Sequence, residues 1–181
     1  MRNIVYFSIV LFLAIGCGGR HKKQTSNDIQ LLVGKEIKLP ENLTCQIDGR
    51  DTSQVFTDEN SYRLLIYNNS KGCSPCKMKD LIDWRELILA ADSIFPTGKV
   101  KFIHIFNVSE RMGNLDADLK AYKFNFPVYY DMHGDFEKIN PLPENEVFHT
   151  MLLDKHNRVV LAGSPIRNQK MWELYKTTIL N

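Results

Sequence analysis

Cysteine is scarce in this chain: four in 181 residues, at positions 17, 45, 73 and 76. Four is too few for the dense cross-linking that holds small secreted domains together. An excess of one charge sign is missing too, since 23 Lys and Arg stand against 21 Asp and Glu, a formal net charge of +2. No basic stripe interleaved with aromatics appears, so nucleic acid is not an expected partner. Long apolar runs are absent: the N-terminal one, Ile4 to Ile15, falls short of the ~20 residues a membrane-spanning helix needs. No internal repeat and no low-complexity stretch is visible, which sets aside solenoids and fibrous arrays.

What is present begins with the N-terminus. Arg2 precedes the apolar run, and small residues close it, the layout of a secretory signal. "LAIGC", Leu13 to Cys17, resembles the bacterial lipobox. That implies loss of residues 1–16 as a lipoprotein signal peptide and lipidation of Cys17. Several acyl chains on one residue would hold the chain stably to a bacterial membrane of the cell envelope, facing the periplasm. Residues 17–33 are polar, include "RHKK", lack hydrophobic periodicity, and read as a flexible tether. Residues 34–181 then make one domain of adequate size for a core. With Cys17 acylated, Cys45, Cys73 and Cys76 remain. An odd count cannot be fully paired in an oxidising compartment.

"KEIKLP" and "LTCQI" alternate enough for short strands, and "YRLLIY" (Tyr62 to Tyr67) is a buried-strand run. Turn residues "NNSKG" follow, then "CSPC". Met78, Leu81, Trp84 or Arg85, Ile88 and Ala91 recur at helical spacing, predicting a helix over 74–93 that stops before Pro96. "VKFIHIF" (Val100 to Phe106) suits a central strand. "NLDADLKAYKF" predicts a second helix, "TMLLD" and "RVVLAG" a hairpin around "KHN", and Met171, Leu174, Tyr175 and Ile179 a closing helix. Strand, helix, strand implies a parallel pair with a crossover, and the hairpin adds antiparallel strands. The expected class is a three-layer α/β/α domain with a central mixed sheet and N-terminal strand additions. Cys45 is expected to pack as a small apolar residue within its strand.

The Cys73–Ser74–Pro75–Cys76 stretch carries the chemistry. It lies where a strand gives way to a helix, so free amide N–H groups and the dipole would favour a thiolate at Cys73. Lys71, Lys77 and Lys79 add positive charge. Pro75 suits a first-turn position because its missing N–H would go unpaired there, and it stiffens the turn. Cys73 is then the nucleophile and Cys76 the resolving thiol. Two other readings stand beside this one. Structural zinc wants four ligands, whereas only Cys45 and the unspaced His104, His133, His149 and His156 remain. A permanent structural disulfide would close a tiny loop and stabilise little. No metal or other cofactor is expected.

Residues 34–181 resemble the thioredoxin superfamily, especially its exported, membrane-tethered branch typified by TlpA and ResA. The resemblance rests on the strand before the pair, on "CSPC", on "FNFPVYYD" (Phe124 to Asp131), and on "TMLLDKHNRVVLAG". The longer "FHTMLLDKHNRVVLAGSPIRNQKMWELY" is similar to small thioredoxin-like lipoproteins of Bacteroidetes. It implies thiol–disulfide exchange with exported proteins and a separate redox partner. The family usually has a cis-proline just before "T.FLID"; here Phe148 and His149 stand there, and Pro127 comes too early. His149 is a candidate to hydrogen-bond or tune Cys73, with an ordinary loop histidine as the alternative. Gly72 replaces the usual aromatic, and Tyr67 falls near one usual site of a buried carboxylate, for which Asp80 is a possible substitute. Peroxiredoxins carry "P...T..C" ahead of their cysteine, which "NNSKGC" lacks. A non-enzymatic interaction lipoprotein on the same fold is the remaining alternative.

Overall fold

The structure is a computed structural model that describes residues 17–52, 61–71, 74–108 and 115–181, with the side chains of 17–24 and 74–77 outside the described set. The signal and lipobox residues 1–16 lie outside it. In order come helix α1 (Cys17–Leu32), strands β1 (Thr44–Ile47), β2 (Arg50–Asp51) and β3 (Tyr62–Asn68), and helix α2 (Ser74–Ile94). Strand β4 (Val100–Asn107), α3 (Leu115–Ala121), β5 (Val128–Asp131) and α4 (Asp135–Ile139) follow. A 3-10 helix (Glu146–His149) then leads into β6 (Thr150–Leu153), β7 (Val159–Ala162) and α5 (Gln169–Leu180).

The seven strands form one mixed sheet in the order β2-β1-β5-β4-β3-β6-β7. β3, β4 and β5 are parallel neighbours, with Ile66 opposite His104 and His104 opposite Val128. β6 runs antiparallel to β3, and β7 antiparallel to β6. β4 is the middle strand, in keeping with the burial of its second half, Ile103 to Asn107.

Period-two alternation divides the core. Leu64, Ile66, Phe106, Val128 and Leu152 face one side, against α2, α3 and α5. Leu65, Tyr67, Ile103, Ile105 and Met151 face the other, against Leu32, Phe136 and Phe148. The α2 stripe settles on Trp84, not Arg85: Met78, Leu81, Trp84, Ile88 and Ala91 are all buried. Filling each site with a large side chain contributes roughly 1.5–3 kcal/mol. Cys45 is buried on β1 in the second cluster, as expected of a small apolar residue, and burial pushes its thiol pKa up. In the native chain Cys45 should therefore resist iodoacetamide at pH 8 and react once urea unfolds the domain. Rapid native labelling at Cys45, read by peptide mass spectrometry, would contradict that placement.

Two expectations need correction. Residues 17–33 are not coil: Cys17–Leu32 is helical, and its last turns dock through buried Asp28 and Leu32. One-dimensional patterning missed this because, among the described side chains of the helix, Asp28 and Leu32 are the buried ones. "KEIKLP" forms no strand but a single bridge, Glu36 to Arg158. Main-chain bonds from Gly34 to Val159 and from Ile37 to Asn157 hold it against the start of β7.

Candidate functional site

α2 begins at Ser74, immediately after Cys73 and six residues past the end of β3. Cys73 itself lies outside the described residues. Ser74, Pro75, Cys76 and Lys77 are the first four residues of the helix, with side chains outside the described set. The approach is ordered: Asn69 is buried, and its Oδ1 accepts the Lys71 N–H at 3.1 Å.

The 3-10 helix Glu146–His149 lies against the C-terminal half of β3, capped by Asn145, whose Oδ1 accepts the Val147 N–H. His149 is no loop histidine; it is 4% exposed at the end of that helix. Its Nε2–H donates to the Pro143 carbonyl at 2.9 Å, leaving buried Nδ1 as an acceptor without a partner among the described residues. Its ring lies 5.9 Å from that of Tyr67. No described peptide bond is cis, including those on either side of His149. The turn that the resemblance builds from a cis-proline is built here from a 3-10 helix.

Tyr67 does not substitute for a carboxylate beside the pair. It faces the other layer, where its hydroxyl donates to Glu137 Oε2 and accepts from Asn107 Nδ2, each at 3.3 Å. Burial and the neighbouring carboxylates raise its pKa well above the ordinary phenol value. Asp80 lies one turn past Cys76, and Arg167 Nη2 donates to it at 2.6 Å. Arg167 Nε donates to Asp83 Oδ2 at 2.7 Å, so one guanidinium bridges successive turns of α2. Both carboxylates, Asp83 first, hold the Arg167 pKa above its usual value.

Beside these groups runs a cleft of about 220 Å³ bounded by the end of β3, α2, the 3-10 helix and the β7–α5 loop. Trp84, Thr150 and Ile166 form part of its wall, and Asp80 and Glu146 also line it. Sequence reading missed Ile166, Arg167 and the 3-10 helix. Arg167 meets Asp83 across 84 residues, a separation no local pattern reports.

Beneath Trp84 lies an imidazole that no motif pointed to. His104 is 1% exposed, and both ring nitrogens lack partners among the described residues. The Trp84 and Phe124 rings stand edge-on to it at 5.4 and 4.9 Å. Burial alone lowers its pKa from 6.5 to about 3.

No protein-family model and no curated protein matches the chain. Solved structures do. A protein described as thiol:disulfide interchange protein DsbE from Chlorobium tepidum aligns at TM-score 0.57 and 16% identity, over 82% of this chain and 99% of its own. A PrxQ mutant from Xylella fastidiosa aligns at 0.56 and 15%, over 81% and 94%. The thioredoxin domain of a thiol-disulfide oxidoreductase from Bacteroides vulgatus aligns at 0.51 and 16%, over 78% and 96%. Identities this low speak for architecture, and they agree with the sheet order, the crossover and the helical layers: the chain has the thioredoxin-like α/β fold.

Proposed function

We propose that this chain is an envelope-facing thiol–disulfide oxidoreductase, anchored through lipidated Cys17, that exchanges disulfides with exported proteins through Cys73 and Cys76. The observation that carries this reading is the start of α2 at Ser74, between the two cysteines. Unpaired amides at a helix start stabilise a thiolate and can draw a C-x-x-C cysteine pKa from about 8.5 toward about 3.5–7.5.

In the reductive direction, the Cys73 thiolate attacks one sulfur of a partner disulfide. An intermolecular disulfide forms and a partner thiolate leaves. The Cys76 thiolate then attacks Cys73 Sγ, closing the pair and releasing the second partner thiolate. The partner gains two electrons and the pair loses them; the reverse sequence oxidises a dithiol. A separate envelope redox partner resets the pair. Pro75 stiffens the turn, Ser74 opens the helix and Lys77 adds positive charge beside the thiolate.

Two alternatives have specific support. The all-trans Phe148–His149 turn favours a non-enzymatic binding lipoprotein. The likeness to PrxQ keeps a peroxidase on the same scaffold in view. Trapping separates them. With Cys76→Ala in the full chain, mixed disulfides to exported proteins should accumulate on non-reducing gels and disappear in Cys73→Ser. The rate of Cys73 alkylation should titrate with a midpoint well below 8.5. An ordinary thiol that traps nothing overturns the proposal, and rapid peroxide consumption would favour the peroxidase.

A further inference from the structure

A neutral imidazole in an apolar layer makes a fold sensitive to acid wherever the cover over it can lift. His104 is such a ring. It is buried on β4, and neither nitrogen has a partner among the described residues. Within the sheet, Ile66 of β3 and Val128 of β5 stand opposite it. Trp84 of α2 and Phe124 of the α3–β5 loop close over it edge-on.

The charged groups on these elements are engaged elsewhere or face water. On α2, Asp83 holds Arg167, and Arg85 donates to the Tyr122 carbonyl and to Glu86. On the segment that carries Phe124, Asp116 accepts from the Tyr130 hydroxyl, Lys120 and Lys123 are exposed, and Asp118 is half-buried. Burial is the one cause of the lowered His104 pKa. A proton on the closed ring is an unpaired charge in an apolar layer, and that penalty disappears once water reaches the ring.

The two covers differ in strength. α2 is 21 residues long and buries Met78, Leu81, Trp84, Ile88 and Ala91. Residues 115–124 make a slighter cover: α3 has seven residues, of which Leu115 and Leu119 are buried, and Phe124 follows. Its closing main-chain bonds stay within the segment, from the Tyr122 N–H to Asp118, from Lys123 to Lys120 and from Phe124 to Leu119. Unravelling it therefore breaks no rung of the sheet. Lys123, just before Phe124, holds a left-handed φ of 52°, a strained backbone for lysine that opening relieves.

We propose that residues 115–124 are an acid-released latch: they unravel while the sheet and α2 stay folded, water reaches His104, and the protonated ring keeps the latch open. Mild acid then exposes Phe124 and the layer beneath it. The device needs neither cysteine, so it stands or falls apart from the exchange activity.

Amide hydrogen exchange of the full chain in detergent, corrected for the intrinsic rate at each pH, tests it. The Tyr122, Lys123 and Phe124 amides should be less protected than those of Leu81 in α2 and Leu65 in β3 at both pH 7.5 and pH 5. Their protection should fall about 30-fold between those values, as expected for one group that titrates near 6.5 when exposed. Low urea should change it little, because a local opening uncovers little surface. In His104→Leu the fall should vanish. Protection equal to that of Leu81 and Leu65 overturns the proposal, since the segment then opens only with the whole domain. Low protection that ignores pH overturns it too, since the opening then leaves the ring covered. Both of those outcomes are read from the unaltered chain, so the test survives a variant that does not fold. A pH effect that persists in folded His104→Leu would assign the latch to another group.

Discussion

Acidification from pH 7.5 to 4 should remove about 3 kcal/mol of stability through His104 alone, and His104→Leu should abolish that part of the loss. In the fold the imidazole is held neutral, its pKa lowered from 6.5 to about 3 by complete burial. In the unfolded chain it protonates near 6.5. Between those values the unfolded state binds the extra proton, so stability is intact above about pH 6.5 and falls steadily toward pH 3. Two and a half pH units at 1.36 kcal/mol each give the stated loss at pH 4. The ring sits between β4 and α2, with Trp84 and Phe124 edge-on, so the proton has no acceptor among the described residues. Leucine has similar bulk and no polar atom, and replacing an unpaired buried group by an apolar one is neutral or stabilising. Urea unfolding of both proteins at pH 7.5, 5.5 and 4 decides the matter. Parallel acid dependence in the two would show that His104 reaches solvent or finds a partner.

Asp131→Ala should cost roughly 2–4 kcal/mol at neutral pH, because it strips the start of α4 of both its acceptors. Asp131 is 1% exposed at the end of β5. Its Oδ1 accepts the Asp135 N–H at 2.9 Å and its Oδ2 the Phe136 N–H at 3.0 Å. Phe136, fully buried, stacks on Tyr67 with ring centroids 4.6 Å apart. Losing the carboxylate leaves two amides unpaired and loosens the helix that covers the second core. Asp131→Asn, which keeps an acceptor of the same shape, should recover part of the loss in thermal unfolding. No effect in Ala would mean that these amides find water readily, and a full-strength effect in Asn that both carboxylate oxygens are required.

Much of this architecture was legible in the residues. The α2 stripe, the apolar run of β4 and the β6–β7 hairpin repeat at periods that only one secondary structure satisfies, and each appears where the spacing puts it. α4 and the 3-10 helix did not announce themselves. Five- and four-residue helices hold too few turns for periodicity to register, and the side chains that accept their first amides, Asp131 at the end of β5 and Asn145, act over only a few residues. α1 was hidden for a different reason: a polar helix docked by Asp28 and Leu32 looks like a linker until its partner strand is in place. At the site, the C-x-x-C spacing and its strand-to-helix setting were readable, because both are local. The cleft was not. Its walls come from β3, α2, the 3-10 helix and the β7–α5 loop, and the Arg167 clasp joins segments 84 residues apart.

The short bridge of residues 34–37 along β7, described above as a failed strand, has a consequence for life at high concentration. A sheet border with unsatisfied amides invites a neighbouring molecule to add its own strand, and repetition of that step leads to insoluble polymer. Here the chain lays Gly34, Lys35 and Ile37 over the entrance of one border, while the opposite border ends in a charged two-residue strand, Arg50–Asp51. Copies crowded together would therefore find little main chain to recruit at either side among the described residues.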